Sequence, residues 1–359
     1  MKNDRYFKEI ADESLRTMVA AARARFIFLS AAPIRLLVPT TPLPWESLES
    51  TLFRAAAGNG LSGIARLERA LKIDVTATAD ASGYARLSEY IGSDAQSIER
   101  LVPTDADGGT VGLNGLVLDR RHVALSSRRL CGQCVAEQGY GYAYWSLSPL
   151  AVCAKHGVAL IDRCPVCQAR LGSSRPAYAV CRCGADWRQV EPRPAPEASR
   201  HFARVIEARF WGEGAPDSGS LGFPDSHLER LQLDELLDLG IFLGALHHDA
   251  KTVMLRKMSG PVSMGHALPR FERAGRALMD WPNRLYAALR GARAFFPASD
   301  TPRDVARSLD HVVYMAVNSL QGEGFRFVTQ AIADFLGDPS EWNTGRVRHR
   351  LDTSERPKC

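Results

Sequence analysis

Apolar residues recur along this chain at helical spacing in its first and last thirds, and much less regularly in the middle. In "WESLESTLFRAAAGNGLSGIARLERAL", Leu48, Leu52, Ala55 and Ala56 share one face, the pattern breaks at Gly58-Asn59-Gly60, and it resumes with Ile64, Leu67 and Leu71. The reading is helix, turn, helix. "LSEYIGSDAQSIERLV" repeats the idea: Gly92 ends one short helix, and Ser93 is placed to cap the next, with Gln96 completing a capping box. Toward the C-terminus "LQLDELLDLGIFLGALHH" is apolar on most sides, as a buried helix is. "ERAGRALMDWPNRLYAALRGARAFF" places Pro282 at the start of a helix, and "VARSLDHVVYMAVNSL" and "FRFVTQAIADFL" are two further amphipathic stretches.

Taken with a middle segment in which close Cys and His pairs replace the apolar periodicity, these patterns predict a mainly α chain with an N-terminal helix-turn-helix region, a central tandem zinc-finger module with short strands, and a C-terminal helical domain. The expected divisions are an N-terminal extension over 1–30, the helix-turn-helix-containing region over 31–118, the cysteine-rich module over 119–193, a linker over 194–225 and the helical domain over 226–359. The linker rests on "EPRPAPEAS" and "WGEGAPDSGSLGFPDS", rich in Pro, Gly and Ser, which bracket one short helical stretch around "HFARVIEARF".

At 359 residues the chain exceeds what one core usually organises. No run approaches the roughly 18 apolar residues of a membrane helix; the nearest, "FIFLSAAPIRLLV", is cut by Pro33 and Arg35. The acidic residues in "MKNDRYFKEIADESL" do not fit a secretory leader, so a cytoplasmic, nucleoid-associated protein is expected. The net charge of +5 is unevenly spread: between Asp119 and Arg193 stand 11 Lys and Arg against 5 Asp and Glu, and elsewhere 34 against 35. A basic module suggests nucleic acid or an acidic partner. Part of the excess answers the thiolates, since a four-Cys zinc site carries about −2 and a three-Cys, one-His site about −1.

Seven of the eight cysteines and one histidine fall into four close pairs: Cys131 and Cys134, Cys153 and His156, Cys164 and Cys167, Cys181 and Cys183. Eight ligands close on two tetrahedral structural zinc ions with none left over, and a complete set argues against a catalytic metal with an open position. A redox dithiol would need a thioredoxin-like strand-to-helix junction, and none is visible. Seven residues, "GVALIDR", separate the middle pairs, and "VALI" reads as a short strand. Sequential sites therefore fit better than a cross-brace: Cys131, Cys134, Cys153 and His156 for the first, Cys164, Cys167, Cys181 and Cys183 for the second. Cys359 is left as a silent thiol, and His247 and His248 read as helix-end caps.

The run "CGQCVAEQGYGYAYWSLSPLAVCAKHGVALIDRCPVCQARL" followed by "CRCGADW" resembles the zinc-binding core of the TniQ/TnsD family of transposon target-selection proteins. "PLPWESLESTLFRAAAGNG" is similar to that family's opening P-x-P-x-E-S-L-x-S-x-L-x-R-x-A-x-x-N-G, and "LDLGIFLGAL", "GRALMDWPNRLYAAL" and "FLGDPSEW" are similar to its helical C-terminal region. Residues 1–30 lie outside the pattern, and the long C-terminal extension of the larger TnsD-type members is not seen. The resemblance implies partnership with an AAA+ ATPase regulator and, through it, a DDE transposase. Target DNA or a Cascade-like guide-RNA effector complex is the implied target, and in RNA-guided relatives a TniQ homodimer sits on that complex.

For contact with nucleic acid or a partner the candidates are Arg120, Arg121, Arg128 and Arg129 beside the first site, and Gln96 and Arg100 on the second helix pair. A solvated surface and a plain helical core are the competing readings. "GYGYAYWSL" alternates aromatics at period two, which places one face of a strand against the zinc module more simply than it stacks on bases. No phosphate loop of the Gly-x-x-x-x-Gly-Lys-Ser/Thr kind and no recombinase-like acidic triad is present, so neither nucleotide hydrolysis nor strand transfer is expected. A non-enzymatic targeting adaptor is the leading expectation, and a stand-alone zinc-containing DNA-binding transcriptional regulator the alternative.

Overall fold

The computed structural model describes residues 35–71, 81–106, 109–124, 128–214, 216–246, 263–293 and 309–338. His247, His248, Cys359 and the expected N-terminal extension lie outside the described residues. The protein is mainly helical. Helix α1 (Leu48–Gly58) is capped by Ser47, whose hydroxyl accepts from the Ser50 amide, and buries Leu52, Phe53, Ala55 and Ala56. Helix α2 (Ile64–Leu71) follows, then α3 (Ala81–Ile91) and α4 (Ala95–Leu101). The cap of α4 is Asp94 rather than Ser93: its Oδ1 accepts from the Ser97 amide at 2.7 Å, so the helix starts one residue later than expected. A carboxylate at that position satisfies an orphan amide and faces the positive end of the helix.

A three-stranded antiparallel sheet then appears inside the region expected to be helical throughout: β1 (Thr104–Ala106), β2 (Thr110–Leu113) and β3 (Leu116–Asp119). Leu113 pairs with Leu116 across Asn114 and Gly115, both at positive φ, the two-residue turn that Asn-Gly favours. Its signal was in the sequence as "VGLNGLVL", where Val111, Leu113 and Leu118 supply the buried positions.

After α5 (Gly132–Gln138) the cysteine-rich segment runs as loops joined by isolated bridges. Here "VALI" is not a full strand. Val158 bridges Pro194, Ala159 bridges Val152 and Ile161 bridges Leu130, so the stretch is extended and stitched on both sides without a continuous ladder. "GYGYAYWSL" is not a strand either: Ala143–Ser146 is a 3-10 turn. Because the turn rotates successive side chains by about a third of a circle, Tyr144 and Trp145 both point inward, where they pack with Tyr142 and are fully buried. The packing role holds; the period-two geometry does not.

Helix α6 (Glu197–Trp211) occupies the stretch expected as a linker and buries Phe202, Val205, Ile206 and Phe210. The Pro- and Gly-rich sequence is confined to its two flanks. A single turn, α7 (Asp225–Leu228), leads to α8 (Leu233–Ala245), and then come α9 (Met264–Leu278), α10 (Asn283–Arg293), α11 (Asp310–Ser319) and α12 (Arg326–Gly337). Phe202 of α6 stacks on Phe271 of α9 at 5.3 Å, and at Gly275 a Cβ would fall 2.9 Å from the Ser199 amide nitrogen, so only glycine permits this approach of α9 to α6. Buried side chains from Leu52 to Phe335 form one continuous cluster that includes Cys131, Cys134, Cys153, Cys164 and Cys181. Each fully buried Leu or Phe in it contributes about 1.5–3 kcal/mol of transfer free energy.

Candidate metal centres

The four pairs converge in two groups. Cys131, Cys134, Cys153 and His156 form one, and Cys164, Cys167, Cys181 and Cys183 the other; within each, the donor atoms all lie within 4.8 Å of one another. This is the sequential arrangement expected from "GVALIDR", not a cross-brace.

At the first group Cys131 is the N-cap of α5 and Cys134 lies in its first turn. Cys153 and His156 come from a tight knuckle: the Gly157 amide donates to the Cys153 carbonyl at 2.8 Å and the Cys153 amide to the Val158 carbonyl at 2.8 Å. Gly157, at φ +64°, supplies the left-handed residue that closes the turn. His156 Nδ1 lies 3.2 Å from Cys134 Sγ, 3.5 Å from Cys131 Sγ and 3.7 Å from Cys153 Sγ, and Cys134 and Cys153 Sγ are 3.5 Å apart. A tetrahedral zinc with Zn–S of about 2.3 Å and Zn–N of about 2.0 Å has edges of about 3.8 Å between sulfurs and about 3.5 Å between sulfur and nitrogen. The cluster already has those dimensions.

His156 presents Nδ1 inward because its Nε2 is held outside by Glu137 Oε1 at 2.8 Å. Glu137, at the end of α5, also accepts from Lys155 Nζ at 2.6 Å, and these two contacts hold its carboxyl below the usual range. The carboxylate–histidine pair fixes the tautomer that a metal requires. Sequence reasoning missed Glu137; its one signal was position, three residues beyond Cys134 on the same helical face. The three thiols, fully buried, compete for one another's protons: Cys131 is pushed far down by hydrogen bonds from Cys134 and Cys153, while those two are pushed up. Three thiolates can coexist there only beside a cation.

The second group repeats the knuckle. The Gln168 amide donates to the Cys164 carbonyl at 2.8 Å and the Cys164 amide to the Ala169 carbonyl at 2.8 Å, with Gln168 at φ +60° in the place of Gly157. Cys181 and Cys183 sit on a turn one residue shorter, closed by the Gly184 amide on the Cys181 carbonyl at 2.9 Å. Cys164 and Cys183 Sγ are 3.7 Å apart, Cys167 and Cys181 Sγ 3.6 Å. Burial would raise the Cys164 thiol, yet the Cys167 and Val166 amides together with neighbouring side-chain donors outweigh it and hold the thiol at about 6. Cys164 and Cys181 are buried, Cys167 and Cys183 exposed. Soft thiolates with one imidazole suit zinc, and both four-donor sets are closed, as structural sites are.

The arginines beside the first group are differently placed. Arg129 is not available to a phosphate: it is 4% exposed, donates to the Leu147, Ser148 and Leu150 carbonyls, and burial lowers it to about 10. It braces the loop between the second and third cysteines. Arg121 pairs with Asp119 and Asp238, and Arg128 with Glu49. Arg120 is exposed and also engaged. Gln96 and Arg100 are exposed on α4.

A TniQ family model matches residues 38–160. That segment is similar to a TniQ domain. The matched segment runs from just before α1 into "VALI" and so contains all four donors of the first group and none of the second. TniQ proteins are a transposition-associated target-selection family. No curated protein matches the chain. Among the described residues no helix is long and apolar enough to cross a membrane.

Proposed function

We propose that this protein is a non-enzymatic targeting adaptor of transposition whose two cysteine groups each hold a structural zinc ion. The observation that carries this reading is the TniQ match over a segment whose four metal donors are brought together at zinc-like spacing. The adaptor marks a target by engaging target DNA or a Cascade-like guide-RNA effector complex. It recruits an AAA+ ATPase regulator and, through it, a DDE transposase; self-association as a homodimer fits the same role, as does a place on the nucleoid in the cytoplasm. The exposed Gln96 and Arg100 on the α3–α4 pair offer one surface for such an engagement, in the manner of a helix-turn-helix.

The closed donor sets support an architectural task for the metal. Zinc would be held by the eight named ligands, with Glu137 fixing His156, and would supply cross-linking in place of a larger core. Two measurements test the reading. Metal analysis of the native chain should return about two zinc ions per molecule, matching two four-ligand sites. The purified chain should also capture a transposition AAA+ ATPase regulator. Tight binding of one defined duplex with no capture of the ATPase would favour the stand-alone regulator, and absence of zinc would overturn both.

A further inference from the structure

Between Asp119 and Arg193 the basic residues divide sharply by partner. Arg121, Arg128, Lys155, Arg175 and Arg188 each pair with an acid, and Arg129 is buried against carbonyls. Around the second cysteine group the situation reverses. From Arg163 to Ala185 the sequence holds four arginines and no Asp or Glu. Arg175 alone is buried; Arg163, Arg170 and Arg182 are exposed and make no ion pair among the described residues.

Their placement is specific. Arg163 precedes Cys164, Arg182 lies between Cys181 and Cys183, and Arg163 and Arg170 are antiparallel bridge partners. Directly opposed residues project from the same face of a ribbon, and like charges so placed repel. Arg163 is further fixed by donating to the Gln168 carbonyl at 3.1 Å across the knuckle. The chain thus sets two arginines opposite one another on a loop tied down by its cysteines, with a third in the other ligand turn and no carboxylate between Asp162 and Asp186.

We propose that Arg163, Arg170 and Arg182 form a phosphate-binding face that grips the backbone of a nucleic acid. The inference rests on the adaptor reading and names the part of the molecule that touches nucleic acid, moving it from the first metal group to the second. Guanidinium forks match phosphate oxygens two at a time. The same loop offers Pro165, Val166, Gln168 and Gly184 but no aromatic anchor of the kind on which protein interfaces centre, which favours a phosphate backbone over an acidic protein.

The test compares the full-length chain with an R163Q/R170Q/R182Q variant and with R326Q, which removes an exposed arginine from α12. Binding to a mixed-sequence DNA duplex and to an RNA hairpin is followed by fluorescence anisotropy between roughly 50 and 200 mM salt, with zinc content measured on each sample. Three lost phosphate contacts should lower the log–log salt slope by about 2.7 on duplex DNA, or about 2.1 where the contacts fall on the single-stranded loop of the hairpin. R326Q should leave it unchanged, and lysine at the three positions should keep most of it. Loss on duplex assigns the face to target DNA; loss on the hairpin assigns it to guide RNA. If the glutamine variant loses zinc, the arginines serve as counter-charges for the thiolates and the proposal fails. If the wild type binds and the glutamine variant keeps its slope, the proposal fails while the adaptor reading stands. A wild type that binds neither nucleic acid removes the proposal together with direct nucleic-acid engagement, and capture of the ATPase then decides the adaptor reading separately.

Discussion

His156 and His122 are held by carboxylates for opposite purposes. His156 gives Nε2 to Glu137 so that Nδ1 stays unprotonated and faces the sulfurs. Glu137→Ala should therefore weaken the first metal site by about 10–100-fold while the second is unaffected, read by competition with a chromogenic chelator. His122 is fully buried with Nδ1 2.6 Å from Asp234 and Nε2 3.0 Å from Asp238, one turn apart on α8. Burial lowers the pKa of this imidazole, and the hydrogen bonds and charges of the two aspartates raise it further than burial lowers it. Both nitrogens donate only in the imidazolium; Arg121 pairs with Asp238, and the Asp119 backbone amide donates to Asp234. A histidine whose folded pKa lies above its unfolded value of about 6.5 stabilises fully below that value, and the stabilisation is lost as pH rises through the folded pKa. Urea midpoints should thus fall as pH rises above about 6.5, a range in which thiolate ligation only strengthens. His122→Gln should flatten that dependence and cost about 1–3 kcal/mol at the acidic end. A His122→Gln variant whose midpoint follows the same pH dependence as the wild type would remove the clamp.

At the scale of elements, the opening "PLPWESLESTLFRAAAGNG" shows what periodicity conveys and what it leaves out. The apolar face of α1 was legible, and it is buried as expected. The polar positions carried a second message that no hydrophobic pattern holds. Glu46, with no exposed surface, accepts Arg54 Nε at 2.8 Å and Nη2 at 2.7 Å, the Ser50 hydroxyl at 2.7 Å and the Leu43 amide at 3.0 Å. Ser50 Oγ in turn receives the Gly141 amide, and Asn59 closes the far end of the helix onto Val38. The motif is a lock between the N-terminal arm, α1 and the loop after α5. Arg54→Ala leaves a buried carboxylate without its ion pair and should cost about 3 kcal/mol in chemical denaturation, with Glu46→Gln in the same chain restoring part of it; a cost below about 1 kcal/mol would show the network to be ornamental. The metal ligands were legible because spacing alone encodes them. The Asn-Gly hairpin was overlooked although its local chemistry was present, and the 3-10 turn at Ala143–Ser146 was misread because aromatic alternation fits both geometries over four residues.

At the scale of the whole molecule the two metal groups hold unequal positions in one core. The first brings three fully buried cysteines into the cluster that runs from Leu52 to Phe335, and α6 with the residues leading into it closes over the knuckle, the Ala195 amide on the Gly157 carbonyl and Arg200 on the Lys155 carbonyl. The second shows Cys167 and Cys183 to solvent. Local opening is easiest where few buried contacts must break, so the second site should lose its ion first. Zinc release to a chelator should be biphasic, with about one ion per chain in each phase and no change in helical circular dichroism during the first. Cys167→Ser should give a folded chain with about one zinc, whereas Cys153→Ser should lose helical signal along with its metal, since ligation there is folding free energy of about 10–16 kcal/mol. Concerted release of both ions with loss of helix would mean instead that the second site is as deeply coupled to the core as the first.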